Sequence, residues 1–293
     1  MMKLKNKLLN RIRLNKAKLK LGCSWWIYRQ RTFANALSKC DKAKAKILII
    51  GGNSGIARSV RSKLNKLRIH HDITTRNKHN NSGFYLDYND STSINNFISA
   101  TDFSQYDTII FFTGYLDPSS DEIIKQEIPQ EGSCRIELAR TSFEQHTRIN
   151  ALYPHMIAGL IGQKLKTRIS KKGIVPITPQ HKQHINFVFL TSSIGTSCQT
   201  IFPSLYYYRA GKAALHAMLT AFYLELNMQK SAELNKIHFG ILLLGPGSAK
   251  TKMNPNGNIT ADQSAELITP IILDPSISGL FLFMDHRRRR LHL

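Results

Sequence analysis

The sequence predicts an α/β fold: a doubly wound, mainly parallel sheet of seven strands with helices on both faces. Three observations predict it. Short, nearly all-apolar runs rich in Ile, Val, Leu and Phe recur between residues 47 and 284, as strands buried on both faces do. Helical stretches separate them, which is the alternation of βαβ units. Three of the runs stop directly at Gly51-Gly52, Thr191-Ser192-Ser193 and Gly245-Pro246-Gly247, and ligand crevices in open α/β sheets lie outside such carboxyl ends.

In chain order, the first strand is Ile47-Leu48-Ile49-Ile50, followed by the glycine turn and a helical stretch to about residue 67. Strands are expected over 69–75, 83–86 and 107–112, the last running into Thr113-Gly114. Helical pattern covers 136–165 and 206–227. Between these helices lies the apolar run 185–190; after them come runs 237–244 and 279–284. Residues 170–184, rich in Lys, Pro, Gln and His, read as a surface loop. The expected organisation is therefore a basic extension over 1–45, disordered or an amphipathic helix, one domain over 46–286, and a basic tail over 287–293.

Composition bounds the function. At 293 residues with 42% apolar and 20% charged side chains, the chain can bury a full core and is too apolar for wholesale disorder. Its 41 Lys and Arg against 19 Asp and Glu give +22, and the first 46 residues hold 14 of those cations beside one acid, Asp41. Three readings of that arm stand open: a solvated basic segment, an organelle-targeting peptide, or an anchor to anionic membrane helped by Trp25 and Trp26. The four cysteines, Cys23, Cys40, Cys134 and Cys198, form no C-x-x-C pair. That spacing points away from a disulfide scaffold or a zinc site and toward a reducing compartment, here the cytoplasm. No apolar run approaches the roughly 18 residues of a membrane span, and the arm lacks the apolar stretch of a secretory signal.

Chemistry concentrates at three places. Strand, Gly51-Gly52-Asn53-Ser54-Gly55-Ile56-Ala57, helix is a turn in which glycine lets backbone approach a pyrophosphate, with a helix N-terminus offering N–H groups behind it. Tyr208 and Lys212 stand four apart on an expected helix, so they are neighbours on one face. A lysine ammonium there favours the phenolate and makes the tyrosine a usable proton donor and acceptor. Ser193 lies just past an apolar strand. Taken singly, each has a plainer reading: an empty glycine turn, an aromatic face packed on the sheet, a serine bonding its own turn.

Together, in order along some 240 residues, they resemble the short-chain dehydrogenase/reductase family, a Rossmann-type fold. Ser193, Tyr208 and Lys212 match its catalytic serine and Y-x-x-x-K, and Asn150 matches its helix asparagine. Pro246-Gly247 with Thr251 resembles its P-G-x-x-x-T. Three departures stand out: Phe111-Phe112-Thr113-Gly114 replaces an Asn-Asn-Ala-Gly tetrapeptide, the gap from Ser193 to Tyr208 is about two residues longer than usual, and Asp285-His286-Arg287 replaces Asp-Gly-Gly.

The resemblance implies hydride transfer between a nicotinamide and a carbonyl or alcohol carbon, with Asn150, Ser193, Tyr208 and Lys212 as the catalytic set. It implies a cofactor held by Gly51, Asn53, Ser54, Gly55, Ile56, Arg76, Asp87, Tyr88, Thr113, Gly114, Tyr208, Lys212, Pro246, Gly247 and Thr251. Arg76, at the end of the second strand, favours NADP, with NAD as the alternative. Asp87 fits an adenine contact, and residues 115–134 and 251–260 are expected to line the substrate pocket. The partners expected are a small carbonyl or alcohol substrate and further copies of the chain in a homo-oligomer. A rival reading is a catalytically weak nucleotide-sensing protein on the same fold, its basic arm and residues 287–290 engaging nucleic acid or acidic partners.

Overall fold

The computed structural model describes residues 46–78, 83–117, 132–171, 183–196, 204–228 and 237–293. The basic arm, most of the loop expected over 170–184, residues 118–131, and Cys198 lie outside the described residues.

In chain order the elements are β1 (Lys46–Ile50), α1 (Gly55–Lys66), β2 (His70–Thr75), β3 (Phe84–Tyr85), α2 (Ser91–Ala100), β4 (Thr108–Phe111) and α3 (Gly132–Thr147). A π-helical turn, Arg148–Leu152, joins α3 to α4 (Tyr153–Lys171). Then follow β5 (Gln183–Leu190), α5 (Tyr206–Met228), β6 (Ile237–Gly245), the short β7 (Ala249–Lys250) and β8 (Ile259–Thr260), α6 (Ala261–Ile272) and β9 (Phe281–Asp285). Seven strands form one parallel sheet in the order β3-β2-β1-β4-β5-β6-β9, the architecture expected from the apolar runs.

Strand residues alternate between two cores because side chains point to opposite faces with period two. Leu48, Ile50, Ile109, Phe111, Phe187 and Phe189 meet α2, α4 and α5 on one face. Ile47, Ile49, Ile110, Val188, Leu242 and Leu244 meet α1 and α6 on the other. β1 and β4 are buried on both faces and lack polar alternation, whereas β2, toward the edge, exposes His70 and half-buries His71 and Asp72. One polar side chain inside the sheet is accounted for: Asp72 of β2, paired in register with Leu48, accepts a 2.7 Å hydrogen bond from the fully buried Tyr106 hydroxyl.

Two helices escaped the sequence reading. α2 is polar except for a few positions but is capped by Asp90, whose carboxylate accepts from the Ser93 amide at 3.1 Å. α6 starts on a capping box: Thr260 Oγ1 accepts from the Gln263 amide at 3.0 Å and Gln263 Oε1 from the Thr260 amide at 2.8 Å, satisfying two donors at the helix start. At the other end of α2, Lys164 of α4 donates to the carbonyls of Ile98, Ser99 and Thr101 at 2.6, 2.6 and 2.9 Å. A cation on the last carbonyls of a helix satisfies acceptors that the helix itself cannot. Lys164→Met should therefore lower stability by roughly 1.5–3 kcal/mol, the worth of hydrogen bonds to a charged group, read as a lower urea midpoint with unchanged slope.

Residues 287–293 do not leave the body as a free basic tail. Past β9 the chain doubles back, with an antiparallel bridge between Met284 and Arg290 and the Leu291 amide donating to Phe283 O at 2.8 Å. Arg289 Nε binds Asp285 at 2.6 Å, and Arg288 binds Asp274 at 3.2 Å and the Pro270 carbonyl at 3.0 Å. Two of the four arginines in the run are thus held by the domain. No helix among the described residues is long and apolar enough to cross a membrane.

Candidate functional site

The chain runs β1, β2, β3 outward to one edge and returns to place β4 on the other side of β1. Loops leaving β1 and β4 therefore diverge, and a crevice opens at their carboxyl ends. There the structure has a cleft of about 340 Å³, lined among others by Gly51, Asn53, Ser54, Arg76, Asp87, Tyr88, Thr113 and Gly114. Eight of the cofactor residues expected from the sequence thus share one cavity.

The glycine turn is shaped by β2. Gly51 adopts φ +80°, its amide donates to Thr74 Oγ1 at 3.0 Å, and the Gly52 amide donates to Thr74 O at 3.2 Å. A Cβ on Gly52 would lie 2.8 Å from Ile73 Cβ, closer than side chains pack. Asn53 Nδ2 donates to Thr75 Oγ1 at 3.0 Å, which ties the turn to the strand end preceding the exposed Arg76. Ser54 caps α1 by accepting from the Ala57 amide at 3.3 Å. The amides of Gly55 and Ile56 open the helix and have no carbonyl within it to bind. Ile56 is thus placed by its backbone; its side chain packs into the core beneath α1 rather than lining the cleft. Gly55 packs on Thr251, whose Cγ2 would stand 3.2 Å from an added Cβ. Gly247 takes φ +81° after β6, and Ser264 of α6 holds the Pro246 carbonyl at 2.7 Å. Pro246, Gly247 and Thr251 flank the turn without lining the cleft.

On the β3 side of the cleft, Asp87 Oδ1 accepts from the Asn89 amide at 3.0 Å and its own amide donates to Ser93 Oγ at 2.9 Å. The Tyr88 hydroxyl donates to Thr113 Oγ1 at 3.3 Å, so a Tyr–Thr pair spans the cleft from β3 to β4. Burial raises the Tyr88 phenol well above its ordinary value. Phe111, at the first position of the altered tetrapeptide, is in register with Phe189 of β5, and their rings stack 4.4 Å apart at 12°. An aromatic pair, not a polar side chain, braces β4 to β5 here.

At the far end of the cleft three segments converge on Gly114. A Cβ there would lie 3.6 Å from Asn150 Oδ1, 3.6 Å from Met253 Cε and 3.9 Å from Lys212 Nζ. Asn150 is fully buried in the π turn, its Oδ1 accepting from the Tyr115 amide at 3.0 Å and its Nδ2 donating to Tyr115 O at 2.8 Å. One turn earlier, buried His146 accepts from the Asp117 amide at Nε2 (3.2 Å) and donates from Nδ1 to Ser142 O (2.8 Å). The two side chains staple residues 115–117. The turn has a local cause: Pro154 carries no N–H, so the Asn150 carbonyl four residues back receives no α-helical bond, and the Tyr153 amide reaches five back to Arg148 O.

Tyr208 and Lys212 occupy consecutive turns of α5, with Lys212 Nζ 5.7 Å from the centre of the Tyr208 ring. Lys212 is 3% exposed and donates to Leu190 O at 3.1 Å. The lysine was expected to pull the phenol down; burial prevails instead and pushes Tyr208 up to about 12, while it pulls Lys212 down to about 8. At neutral pH the phenol is a proton donor. Ser193, half-buried, opens the 3₁₀ turn Ser193–Gly195, and Gly195 lies against Lys212, where an added Cβ would stand 2.8 Å from Lys212 Cβ. Of the segments expected to line a substrate pocket, residues 118–131 lie outside the described residues, and 251–260 contributes Met253 over Gly114.

Neither a protein-family model nor a curated protein sequence matches the chain. Solved structures do match. A protein of Burkholderia multivorans assigned to the short-chain dehydrogenases/reductases, with NADP bound, superposes with TM-score 0.61 at 17% identity over 85% of this chain and 100% of that one. The carbonyl reductase Sniffer of D. melanogaster gives 0.62 at 17%, over 85% and 99%. A carbonyl reductase of Pseudomonas aeruginosa PAO1 in complex with NADP gives 0.60 at 16%, over 85% and 99%. The chain has the short-chain dehydrogenase/reductase fold. Within that fold the glycine turn, the switch-point cleft and the Tyr208–Lys212 helix stand where the sequence pattern put them. Four residues of the site were missed: Thr74 and Thr75, which bond the glycine turn, and His146 and His216, which flank Asn150 and Lys212 at four-residue spacing. That spacing was the available signal.

Proposed function

We propose that this chain is a member of the short-chain dehydrogenase/reductase family: an NADP-dependent oxidoreductase acting on a carbonyl or alcohol carbon. The observation that carries the reading is the continuity of the site. One cleft begins at the glycine turn and Arg76 and ends at Gly114, where buried Asn150 and Lys212 meet. Its glycine turn takes a left-handed φ at Gly51, which lines the cleft, and a helix N-terminus stands behind it, the chemistry a dinucleotide pyrophosphate needs. NADP in two of the structural neighbours supports the same cofactor.

In this reading Gly51, Asn53, Ser54 and the amides of Gly55 and Ile56 hold the pyrophosphate, Arg76 the 2′-phosphate and Asp87 the adenine. Lys212 holds the nicotinamide ribose. The bound nicotinamide supplies the hydride. The chain supplies charge placement and the proton. Ser193 donates to the carbonyl oxygen as negative charge builds on it, and Tyr208 gives that oxygen its proton. Lys212, with its ammonium destabilised by burial, is poised to pass a proton on to Tyr208. Asn150, buried beside Gly114 and near Lys212, is the residue that would anchor a water connecting Lys212 to solvent.

The reading is tested by NADPH oxidation against a panel of aldehydes and ketones, and its cofactor preference by Arg76. A guanidinium meets a phosphate with paired, charge-assisted hydrogen bonds. Such bonds are worth roughly 1.5–3 kcal/mol, so Arg76→Ala should weaken NADP binding by about one to two decades and leave NAD nearly unchanged. Equal losses for both cofactors would assign Arg76 a structural role, and wild-type preference for NAD would overturn the preference.

A further inference from the structure

α5 carries polar side chains at four-residue spacing, Tyr208, Lys212, His216 and Thr220, and His216 has no part in the chemistry above. His216 is 4% exposed, and its Nε2 shares a 2.6 Å hydrogen bond with the hydroxyl of Thr191, which is 3% exposed. Thr191 is the first residue past β5, and its amide still donates to Leu244 O at 2.9 Å. On its other side the His216 ring lies 4.9 Å from that of Phe283 in β9, and Thr220 Oγ1 donates to its carbonyl at 2.8 Å. The ring is therefore fixed from both directions.

What this fixes is the turn that bears Ser193. Upstream, Lys212 holds Leu190 O and His216 holds the Thr191 side chain. Downstream, Gly195 abuts the same pair: an added Cβ would meet Lys212 Cβ at 2.8 Å and His216 Cε1 at 3.1 Å. Ser193 lies between these anchors, and both belong to the helix that carries Tyr208. The geometry points to His216 as a positioning residue, which, through Thr191, holds the Ser193 turn in register with Tyr208 on α5. The inference rests on the proposed function for its catalytic consequence, but not for its structural one. His216 acts as a neutral ring: burial first, then the neighbouring Lys212, holds its imidazole down to about 4, so it adds no second charge beside the lysine.

The test uses the full chain with His216→Leu, His216→Gln, Thr191→Val and the Leu/Val double variant. Displacing a reacting group by about 1 Å can cost of order 10²-fold. His216→Leu and Thr191→Val should each lower kcat about 10- to 100-fold with the NADP dissociation constant unchanged. The double variant should be no slower than the slower single, because both remove one bond. His216→Gln, which keeps a polar atom near the Nε2 position, should recover most of the rate. Amide hydrogen exchange of residues 191–196 should quicken in His216→Leu and Thr191→Val but not in His216→Gln. Fully additive losses, cofactor affinity falling in step with kcat, or unchanged exchange in the turn would overturn the assignment. Should His216→Leu fail to fold, Thr191→Val gives the same readings. A wild-type protein without NADPH turnover would overturn the proposed function, and the exchange data would then decide the role of His216 alone.

Discussion

Tyr208→Phe is expected to lower turnover by about 10²–10⁴-fold, the usual worth of a positioned proton donor, while NADP binding stays close to wild type. The substitution removes one oxygen and keeps the ring that Lys212 packs over at 5.7 Å. Lys212 keeps its bond to Leu190 O, so the proposed contact of Lys212 with the nicotinamide ribose should survive. Burial leaves the phenol protonated at neutral pH, so what is lost is a donor, the role that carbonyl reduction requires. Single-turnover rates beside an equilibrium titration of the cofactor separate the two effects. A variant that retains most of its activity would remove Tyr208 from the mechanism.

Phe111→Ala is expected to destabilise the fold by about 3–5 kcal/mol, the range for a large aromatic removed from a packed core. Phe111 and Phe189 are both essentially fully buried and stacked in register between the two central strands. Phe111→Asn should cost at least as much, although the resemblance puts an asparagine here. In this chain the carboxamide would face Phe189 and lose the hydration that a polar group needs when no partner is present. Chemical denaturation of the two variants beside wild type checks both statements. A cost below about 1 kcal/mol for Phe111→Ala would show that the pair is not what joins β4 to β5.

These two residues also mark what was legible in the sequence. The strands were, because a sheet buried on both faces writes itself as unbroken apolar runs such as Ile47-Leu48-Ile49-Ile50. β3 was less so, being only two residues long and half-buried. α2 and α6 were missed for different reasons. The first has a weak apolar stripe and depends on Asp90 and Lys164 at its ends, and the second holds Pro270 inside it. In the site, glycine positions and the Tyr208–Lys212 spacing were visible because backbone conformation and helix geometry demand particular residues there. The burial that sets the Tyr208 and Lys212 protonation was not visible, since it depends on segments far apart in sequence. Nor could a pattern tell that Asn150 would spend its side chain on the Tyr115 backbone. A buried histidine such as His146 or His216 looks like a surface one until the fold brings its partner within reach.

In the proposed reaction a hydride moves between a nicotinamide and a carbonyl carbon while Tyr208 supplies the proton. The most direct measurement supplies NADPH deuterated at the transferring C4 position with a carbonyl compound that the wild-type protein turns over, and locates the label in the product. Deuterium on the new carbinol carbon, with the labelled product forming more slowly in Tyr208→Phe in step with the lost turnover, is the predicted result. Deuterium absent from that carbon, or no NADPH-dependent turnover with any carbonyl compound despite tight NADP binding, would contradict it.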